Sequence, residues 1–292
     1  MLEDKINAQI KLLEDTDKEV FALIKENLLS QGEEIVSILE AAWDKADLSI
    51  VHERIENIIH LIHFQSIQDR LEIWRDSAQQ DWSEPLFILS KFYYQDLDEA
   101  FFKDMLQPIA NSVWLEMHER LTSLEKVRLI NRILFQQLGF KNNMDNGKKH
   151  IHYFLMKDLL ETKKGNDISL AFLYLWVTQQ LDMPIYPVNL PGNLILSYVD
   201  HELVQQNRTT STQDAGVLFY INPSVRGSLF DKNEIISFLD KNNLKHKKEY
   251  FTPASPTDIM IRAMKEMQIV FLKNKQEEKV AELDILLQIL NK

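Results

Sequence analysis

One stretch, residues 165–200, constrains the fold more than any other part of the chain. It reads GNDISLAFLYLWVTQQLDMPIYPVNLPGNLILSYVD. The predicted helix at 168–181 carries apolar residues on every face, which is typical of a helix buried in a core. A turn at 182–184 follows, and the segments 185–190 and 194–199 have the length and composition of strands. The chain is therefore expected to bury a helix against a small sheet.

Amphipathic helical patterns fill most of the remaining chain. Capping boxes at Thr16–Glu19 and Thr122–Glu125 predict two helix starts. Before the stretch, one predicted helix ends near residue 30. Others cover 33–45, 50–64, 67–78, 85–94, 97–120, 126–138 and 150–163. Pro108 should kink or split the helix at 97–120. After the stretch we predict a polar loop at 200–214 and a strand at 217–221. Helices are predicted at 231–239, 255–275 and 277–290. The pattern predicts a mostly helical α+β fold.

Composition narrows the function classes. The chain has 292 residues, 45% of them hydrophobic and 26% charged, as in an ordinary globular protein. Its net charge of −11 disfavours nucleic acid and anionic membranes as partners. It contains no cysteine, which excludes disulfides, thiolate metal sites and a cysteine nucleophile. With a charged first segment and no apolar run of membrane-spanning length, we expect a soluble cytoplasmic protein.

The central stretch resembles the SirB-type branch of the transglutaminase-like superfamily. The residues that carry the resemblance are Gly165, Ile168-Ser169-Leu170, Leu173-Tyr174-Leu175, Val177, Leu181, Pro184 and Val188-Asn189-Leu190-Pro191-Gly192. Flanking matches are Leu134-Phe135 with Leu138-Gly139-Phe140, and Pro253-Ala254-Ser255-Pro256. The resemblance covers about residues 85–290. It implies a transglutaminase-like domain at 81–250 and a TPR-like helical hairpin at 251–292. For residues 1–80, the successive amphipathic helices with short polar turns suggest a HEAT-like or bundle arrangement.

The resemblance also implies where a Cys-His-Asp triad would lie. The nucleophile position falls at or next to Ser169, the histidine position at Asn193 and the aspartate position at Asn222. An amide has no useful proton affinity near neutral pH, so Asn193 cannot serve as a general base. The upstream polar loop of the family is replaced by Lys148-Lys149-His150-Ile151-His152. All three catalytic positions are therefore substituted, and the chain is expected to bind rather than to catalyse.

The preferred hypothesis is a non-catalytic protein that binds a protein or peptide, with Ser169, Asn189, Asn193 and Asn222 lining its cleft. One alternative is a hydrolase or acyl transferase that uses Ser169 with an unrecognised base, for which His150 and His152 are candidates. Another is an assembly protein that acts through its N-terminal helices. Since Ser169 begins a helix, capping of free backbone N–H groups is the simpler expectation for its hydroxyl.

One histidine pattern invites a metal hypothesis. His52, Glu56, His60 and His63 follow helical spacing and could form a zinc-binding stripe. A helix face that carries these side chains for other reasons is the expected interpretation. The sequence contains no glycine-rich phosphate loop, zincin motif or nucleophile elbow. We therefore expect no metal and no cofactor, and the sequence does not indicate an oligomeric state.

Overall fold

A computed structural model describes residues 2–15, 17–143, 150–200 and 216–292. Its helices are α1 Leu2–Lys11, α2 Lys18–Leu29, α3 Val36–Trp43, α4 Ser49–Asp76, α5 Ser83–Tyr93, α6 Glu99–Trp114, α7 Ser123–Asn131, α8 Met156–Thr162, α9 Asp167–Gln179, α10 Lys232–Lys241, α11 Pro256–Lys273 and α12 Glu277–Leu290. Its strands are β1 Lys141–Asn142, β2 Lys164–Gly165, β3 Ile185–Leu190, β4 Asn193–Val199, β5 Val217–Asn222 and β6 Ser228–Phe230. The predicted α+β class with mostly helical content is confirmed.

The chain forms two compact units. The first comprises Met1–Ile73 and Lys91–Gln95, and the second Trp74–Ser90 and Asp96–Lys292. The segment boundaries predicted from sequence, 1–80, 81–250 and 251–292, stay predictions. None of the described helices combines the length and the apolarity that crossing a bilayer requires.

The first unit is helical and has its own apolar core. Buried residues of α4 recur at Val51, Ile55, Ile58 and Ile62, a spacing that keeps them on one helix face. They pack with buried residues of the preceding helices: Ile6, Ile10, Leu13, Ile24, Leu28, Ile35 and Leu39. The amphipathic helices predicted here are present, although several boundaries differ.

Four predicted helices of the N-terminal half need correction. The helices predicted at 50–64 and 67–78 are one helix, α4, because neither glycine nor proline interrupts its apolar period. The helix predicted at 33–45 begins as a 3₁₀ turn, Gly32–Ile35, and becomes α-helical only at Val36. Pro108 does not split α6, and the segment after Trp114 is not helical. Thr16 of the first capping box lies outside the described residues, and Asp17 caps α2 instead by accepting from the Glu19 N–H.

The second unit is built around α9, which is buried along its length, as predicted. Residues 167–178 are all buried. The four-stranded antiparallel sheet has the order β3-β4-β5-β6. In its first hairpin Val188 pairs with Ile195 and Leu190 with Asn193. The three predicted strands are confirmed to within one residue.

Some short elements of this unit escaped prediction. β6 has only three residues, too few to show alternation, and β1 and β2 form a two-residue parallel ladder. The helix predicted at 150–163 is a 3₁₀ turn, Ile151–Tyr153, followed by α8, because Leu155 is extended and interrupts the helix. The loop predicted at 200–214 falls almost wholly outside the described residues.

Pro187 lies inside β3, and its position suits an edge strand. Proline has no N–H to donate to a neighbouring strand, so it is tolerated where the strand has a neighbour on one side only. The carbonyl of Pro187 accepts from the Ala254 N–H at 2.8 Å. The segment that leads into α11 thereby attaches to the free edge of the sheet.

Candidate functional site

Ser169, at the nucleophile position, belongs to the N-terminal cap of α9. The Asn166 side chain accepts from the Ser169 N–H at 2.9 Å, and the Ser169 hydroxyl accepts from the Asn166 N–H at 3.1 Å. The same hydroxyl donates its proton to the Tyr153 carbonyl at 2.6 Å. Ser169 is only 1% exposed. Among the described residues no titratable side chain contacts this hydroxyl, so its environment is that of a helix cap.

Gly165 makes room for this arrangement. A Cβ atom at that position would lie 2.3 Å from the Ser169 Oγ and 3.0 Å from a methyl carbon of Leu159. The first distance is shorter than real Cβ contacts and the second is tight, so residue 165 must lack a side chain for the hydroxyl to keep its position against Tyr153. The glycine in the sequence motif therefore has a packing reason that does not depend on catalysis.

Asp167 lies on the same first turn of α9 but faces the hairpin of β3 and β4. Its Oδ2 accepts from the backbone N–H of Leu194 at 2.9 Å. The residue is 6% exposed. Leu194 follows Asn193, the residue at the histidine position, so Asp167 fixes the start of the strand that carries Asn193. Sequence reasoning assigned no role to Asp167.

Arg262 of α11 completes the contacts of this buried carboxylate. Its Nη2 lies 3.5 Å from Asp167 Oδ2, and its Nη1 donates to Asn189 Oδ1 and to the Leu190 carbonyl, each at 2.8 Å. Its Nε donates to Glu266 Oε1 at 3.0 Å. The side chain is 11% exposed. Several elements thus converge on one guanidinium, and only the i,i+4 spacing to Glu266 was readable from the sequence.

The two remaining triad positions are joined through a residue that the sequence analysis missed. The Ser224 hydroxyl lies 2.7 Å from Asn222 Oδ1 and 3.3 Å from Asn193 Oδ1. A hydroxyl has one proton, so it donates to the nearer Asn222 oxygen. Asn222 Oδ1 also accepts from the Ser224 N–H at 3.1 Å, the side-chain turn that Asn favours before such a bend. The cluster is neutral, and none of its groups changes charge near neutral pH.

A buried polar contact positions the turn that follows Asn222. Asn131 donates from its Nδ2 to the Gly227 carbonyl at 2.7 Å and accepts from the Tyr174 hydroxyl at 3.1 Å. Burial raises the pKa of Tyr174 far above its ordinary value, so the hydroxyl stays protonated and keeps donating. Gly227 has a φ of +71°, and a Cβ there would lie 2.0 Å from Asn131 Oδ1. Glycine is required at this position for both reasons.

The two histidines considered as a general base for Ser169, His150 and His152, have other contacts. His152 is exposed, and its Nδ1 lies 3.3 Å from Asp158 Oδ1. His150 is exposed and sets its ring edge-on against Tyr153. Neither forms a hydrogen bond with the Ser169 hydroxyl. Lys148 and Lys149 lie outside the described residues.

The four residues of the histidine stripe of α4 contact other side chains and backbone groups rather than one common point. His52 contacts the Trp43 carbonyl at 2.9 Å, and Glu56 accepts from the Trp43 indole at 3.0 Å. His60 contacts Gln95, and His63 contacts Glu33. Burial lowers the pKa of His63, and the hydrogen bond with Glu33 opposes that shift. No group of three or more His, Cys, Asp or Glu in the described part of the chain is arranged to hold a metal ion.

Asn189 opens onto a surface pocket of the second unit. The pocket has a volume of about 530 Å³, within the range of small-molecule and peptide side-chain sites. Its lining includes charged residues of both signs together with polar and apolar residues: Asn189, Glu249, Thr252, Pro253, Ala254, Ser255, Asp258, Ile261, Arg262, Lys265, Glu266 and Ile269. Of the four predicted cleft residues, Asn189 lines this pocket, Asn193 and Asn222 meet at Ser224, and Ser169 is buried in the helix cap.

Comparison with known proteins identifies the family. A family model described as the transglutaminase-like superfamily matches residues 100–265, more than half of the chain. The chain therefore belongs to the transglutaminase-like superfamily. The match includes the three triad positions and Arg262.

Individual relatives agree with the SirB-type branch that the sequence motif indicated. A UPF0162 protein of Xylella fastidiosa (strain Temecula1) is 28% identical over 131 residues, which are 43% of this chain and 46% of that protein. Protein SirB1 of Salmonella typhimurium is 24% identical over 166 residues, 57% of this chain and 56% of SirB1. The chain thus spans about half the length of these relatives. F-box only protein 21 of Mus musculus is 36% identical over 69 residues, 24% of this chain and 11% of that protein. No solved structure matches.

Proposed function

We propose that this chain is a non-catalytic member of the superfamily that binds a peptide segment of another protein. The observation that carries the proposal is the state of the Ser169 hydroxyl. It is buried, donates to a backbone carbonyl and accepts from a backbone N–H, so it is committed to the helix cap. A serine nucleophile needs a base within hydrogen-bond reach and a path for substrate.

The other two triad positions support the same proposal. Asn193 and Asn222 carry amides that hydrogen-bond but do not exchange protons near neutral pH, and both are half-buried. Amide groups on a rigid sheet suit recognition of a peptide backbone, which offers N–H donors and carbonyl acceptors. We place the binding surface at the pocket next to Asn189 and extend it to Asn193, which pairs with Leu190 in the same hairpin. Arg262 holds Asn189 and this hairpin in position.

The charges around the pocket suggest what it recognises. Lys265 is exposed, whereas Arg262 and Glu266 are engaged with each other. Asp258 and Glu249 add negative charge to the lining. A peptide with polar side chains of both signs would find partners there. The absence of cysteine fits a reducing compartment, and we place the binding role in the cytoplasm.

Catalysis and binding are tested separately. The first experiment exposes the folded full-length protein to a fluorophosphonate probe, which labels activated serines, and compares it with Ser169→Ala. We expect no labelling of Ser169 in the folded protein. Labelling that disappears in Ser169→Ala, together with ester hydrolysis lost in the same variant, would establish the serine hydrolase alternative and overturn the proposal.

The second experiment selects a phage library of random linear dodecapeptides on the full-length protein. Selected peptides should bind Lys265→Glu several-fold more weakly, since that substitution reverses a charge in the pocket. Lys273→Glu is the matched control, because it makes the same change on the same helix outside the pocket lining. Asn193→Ala should also weaken binding while leaving the fold intact. Equal affinities for Lys265→Glu and Lys273→Glu would show that the pocket is not the binding site.

A further inference from the structure

A second pocket of the same unit has a different chemical character. Its volume is about 570 Å³, and it is lined by Lys232, Ile236, His246, Lys247, Lys248 and Phe251. Three of these residues are lysines, one is a histidine, two are apolar, and none is acidic. The Asn189 pocket, in contrast, includes Glu249, Asp258 and Glu266.

The floor of this second pocket, which we call the basic pocket, is firmly held. Phe251 is 8% exposed and belongs to an apolar cluster with Ile235 and Leu239 of α10. Its carbonyl accepts from the buried Tyr220 hydroxyl at 2.8 Å, which ties the segment to β5. The Lys232 ammonium lies 5.5 Å from the centre of the Phe251 ring, a cation–π arrangement. The pocket walls are therefore positioned before any ligand arrives.

The cations at the rim are only weakly compensated. His246 lies 2.8 Å from Asp240, and Lys247 lies 3.3 Å from Glu249. Both pairs are exposed to water, where such pairs contribute little and exchange partners readily. Lys248 is exposed on the same turn. An incoming anion can therefore compete for these side chains at low cost.

We propose that the basic pocket binds an acidic peptide segment of a partner protein, with an apolar side chain on the floor and carboxylates at the rim. We choose an acidic peptide because its negative charge is complementary to the lysines of the lining. The whole chain has a net charge of −11, whereas the lining of this pocket contains three lysines and no acidic residue, so an acidic segment finds opposite charge there. Ile236 and Phe251 offer apolar contact, which favours a peptide side chain over a phosphate backbone.

This proposal goes beyond the binding role of the Asn189 pocket, because it concerns a separate surface that can be altered by substitutions outside that pocket. The test selects the dodecapeptide library on the full-length protein and removes phage that bind the variant Lys247→Glu, Lys248→Glu. The remaining peptides should combine several Asp or Glu residues with at least one large apolar residue. Absence of any such enrichment would overturn the proposal.

The enriched peptides are then synthesised with a fluorophore and titrated by anisotropy. We expect the Lys247→Glu, Lys248→Glu variant to lose affinity by about tenfold or more, since it reverses two rim charges. The matched control is Lys241→Glu, Lys245→Glu, which reverses the same charge in the same segment outside the pocket lining. The milder Lys247→Gln, Lys248→Gln variant should also weaken binding, and Ile236→Ser should weaken it through the floor.

Two outcomes would contradict the proposal at this stage. If the control pair weakens binding as much as the pocket pair, the attraction is diffuse and no pocket is involved. If a dodecameric oligothymidylate binds as tightly as the peptides and with the same sensitivity to the pocket variants, the site recognises nucleic acid. Circular dichroism of each variant confirms that the fold is retained.

Discussion

The two polar side chains on the first turn of α9, Asp167 and Ser169, have very different surroundings. Ser169 makes neutral hydrogen bonds within its own cap and with Tyr153, a residue close in sequence. Asp167 pairs across the fold with Leu194 of β4 and Arg262 of α11. The hydroxyl at the nucleophile position implied by the resemblance therefore belongs to a helix cap, whereas its charged neighbour joins three elements: α9, β4 and α11.

The comparison has an energetic side. A buried ion pair that loses one partner leaves an uncompensated charge in a poor solvent, whereas the loss of a neutral hydroxyl removes only hydrogen bonds between uncharged groups. The Asp167 side of α9 should therefore be the more sensitive of the two. The four predictions that follow test this difference, from the largest expected effect to the smallest.

Arg262→Ala should destabilise the second unit most. It removes the guanidinium paired with buried Asp167 and the donors to Asn189 and Leu190, and breaking such a pair costs about 3–5 kcal/mol. Urea unfolding, combined with hydrogen exchange of the α9 and β4 peptides, measures the loss. Arg128→Ala, on the exposed face of α7, is the control and should change the free energy of unfolding by less than about 0.5 kcal/mol. Equal effects of the two variants would refute the assigned role of Arg262.

Gly165→Ala should lower the free energy of unfolding by about 1–3 kcal/mol, because the added methyl overlaps the Ser169 hydroxyl. The same substitution should cost less in a Ser169→Ala background, where the overlapping oxygen is absent. It should still cost something, since Leu159 also approaches the added carbon at 3.0 Å. A double-mutant cycle from urea midpoints measures the coupling. Strict additivity would mean that Gly165 serves another purpose.

Ser169→Ala alone should cost about 1–2 kcal/mol, because it removes the hydrogen bonds of the hydroxyl with Asn166 and Tyr153. The Tyr153 carbonyl still accepts from the Asn166 N–H at 3.1 Å, so this carbonyl is not left without a hydrogen-bond donor. Denaturant titration gives the stability, and titration with a selected dodecapeptide gives the affinity. Unchanged affinity is the expected result. A loss of more than about 3 kcal/mol would place Ser169 on the same level as Arg262 and remove the contrast with Asp167.

Asn193→Ala should have the smallest effect on stability, within about 0.5 kcal/mol, because the residue is half-exposed and Ser224 donates mainly to Asn222. Its effect should instead be on peptide affinity, measured by anisotropy at constant salt. A variant that unfolds more easily but binds as well as wild type would assign Asn193 to the structure of the hairpin.

Local features of the fold were predictable from sequence. The continuous apolar surface of α9, the capping box at Thr122 and the strands flanking Pro191 and Gly192 depend on residues a few positions apart. The structure confirms the capping box and places α9 and the strands within two residues of their predicted bounds. The single long α4 was missed because the prediction placed a break between residues 64 and 67, although the helix continues through them.

The candidate site was predictable only as a set of positions. The family motif located Ser169, Asn193 and Asn222, and their chemistry indicated the missing base. Which side chain faces the β3–β4 hairpin was not predictable, because neighbouring positions on a helix turn point in different directions. The pairing of Asp167 with Arg262 joins residues far apart in sequence. The contact of Ser224 with Asn193 forms only when distant parts of the chain fold together.

The sequence by itself determined the class of fold, the buried central helix, its cap and the absence of cysteine, because these follow from short-range spacing and from composition. The tertiary structure alone decided that Ser169 is enclosed, that Arg262 reaches Asp167 and Asn189, and that lysines surround an apolar floor at Phe251. These contacts depend on packing between distant segments, where burial and geometry select among many pairings that the sequence leaves equally open.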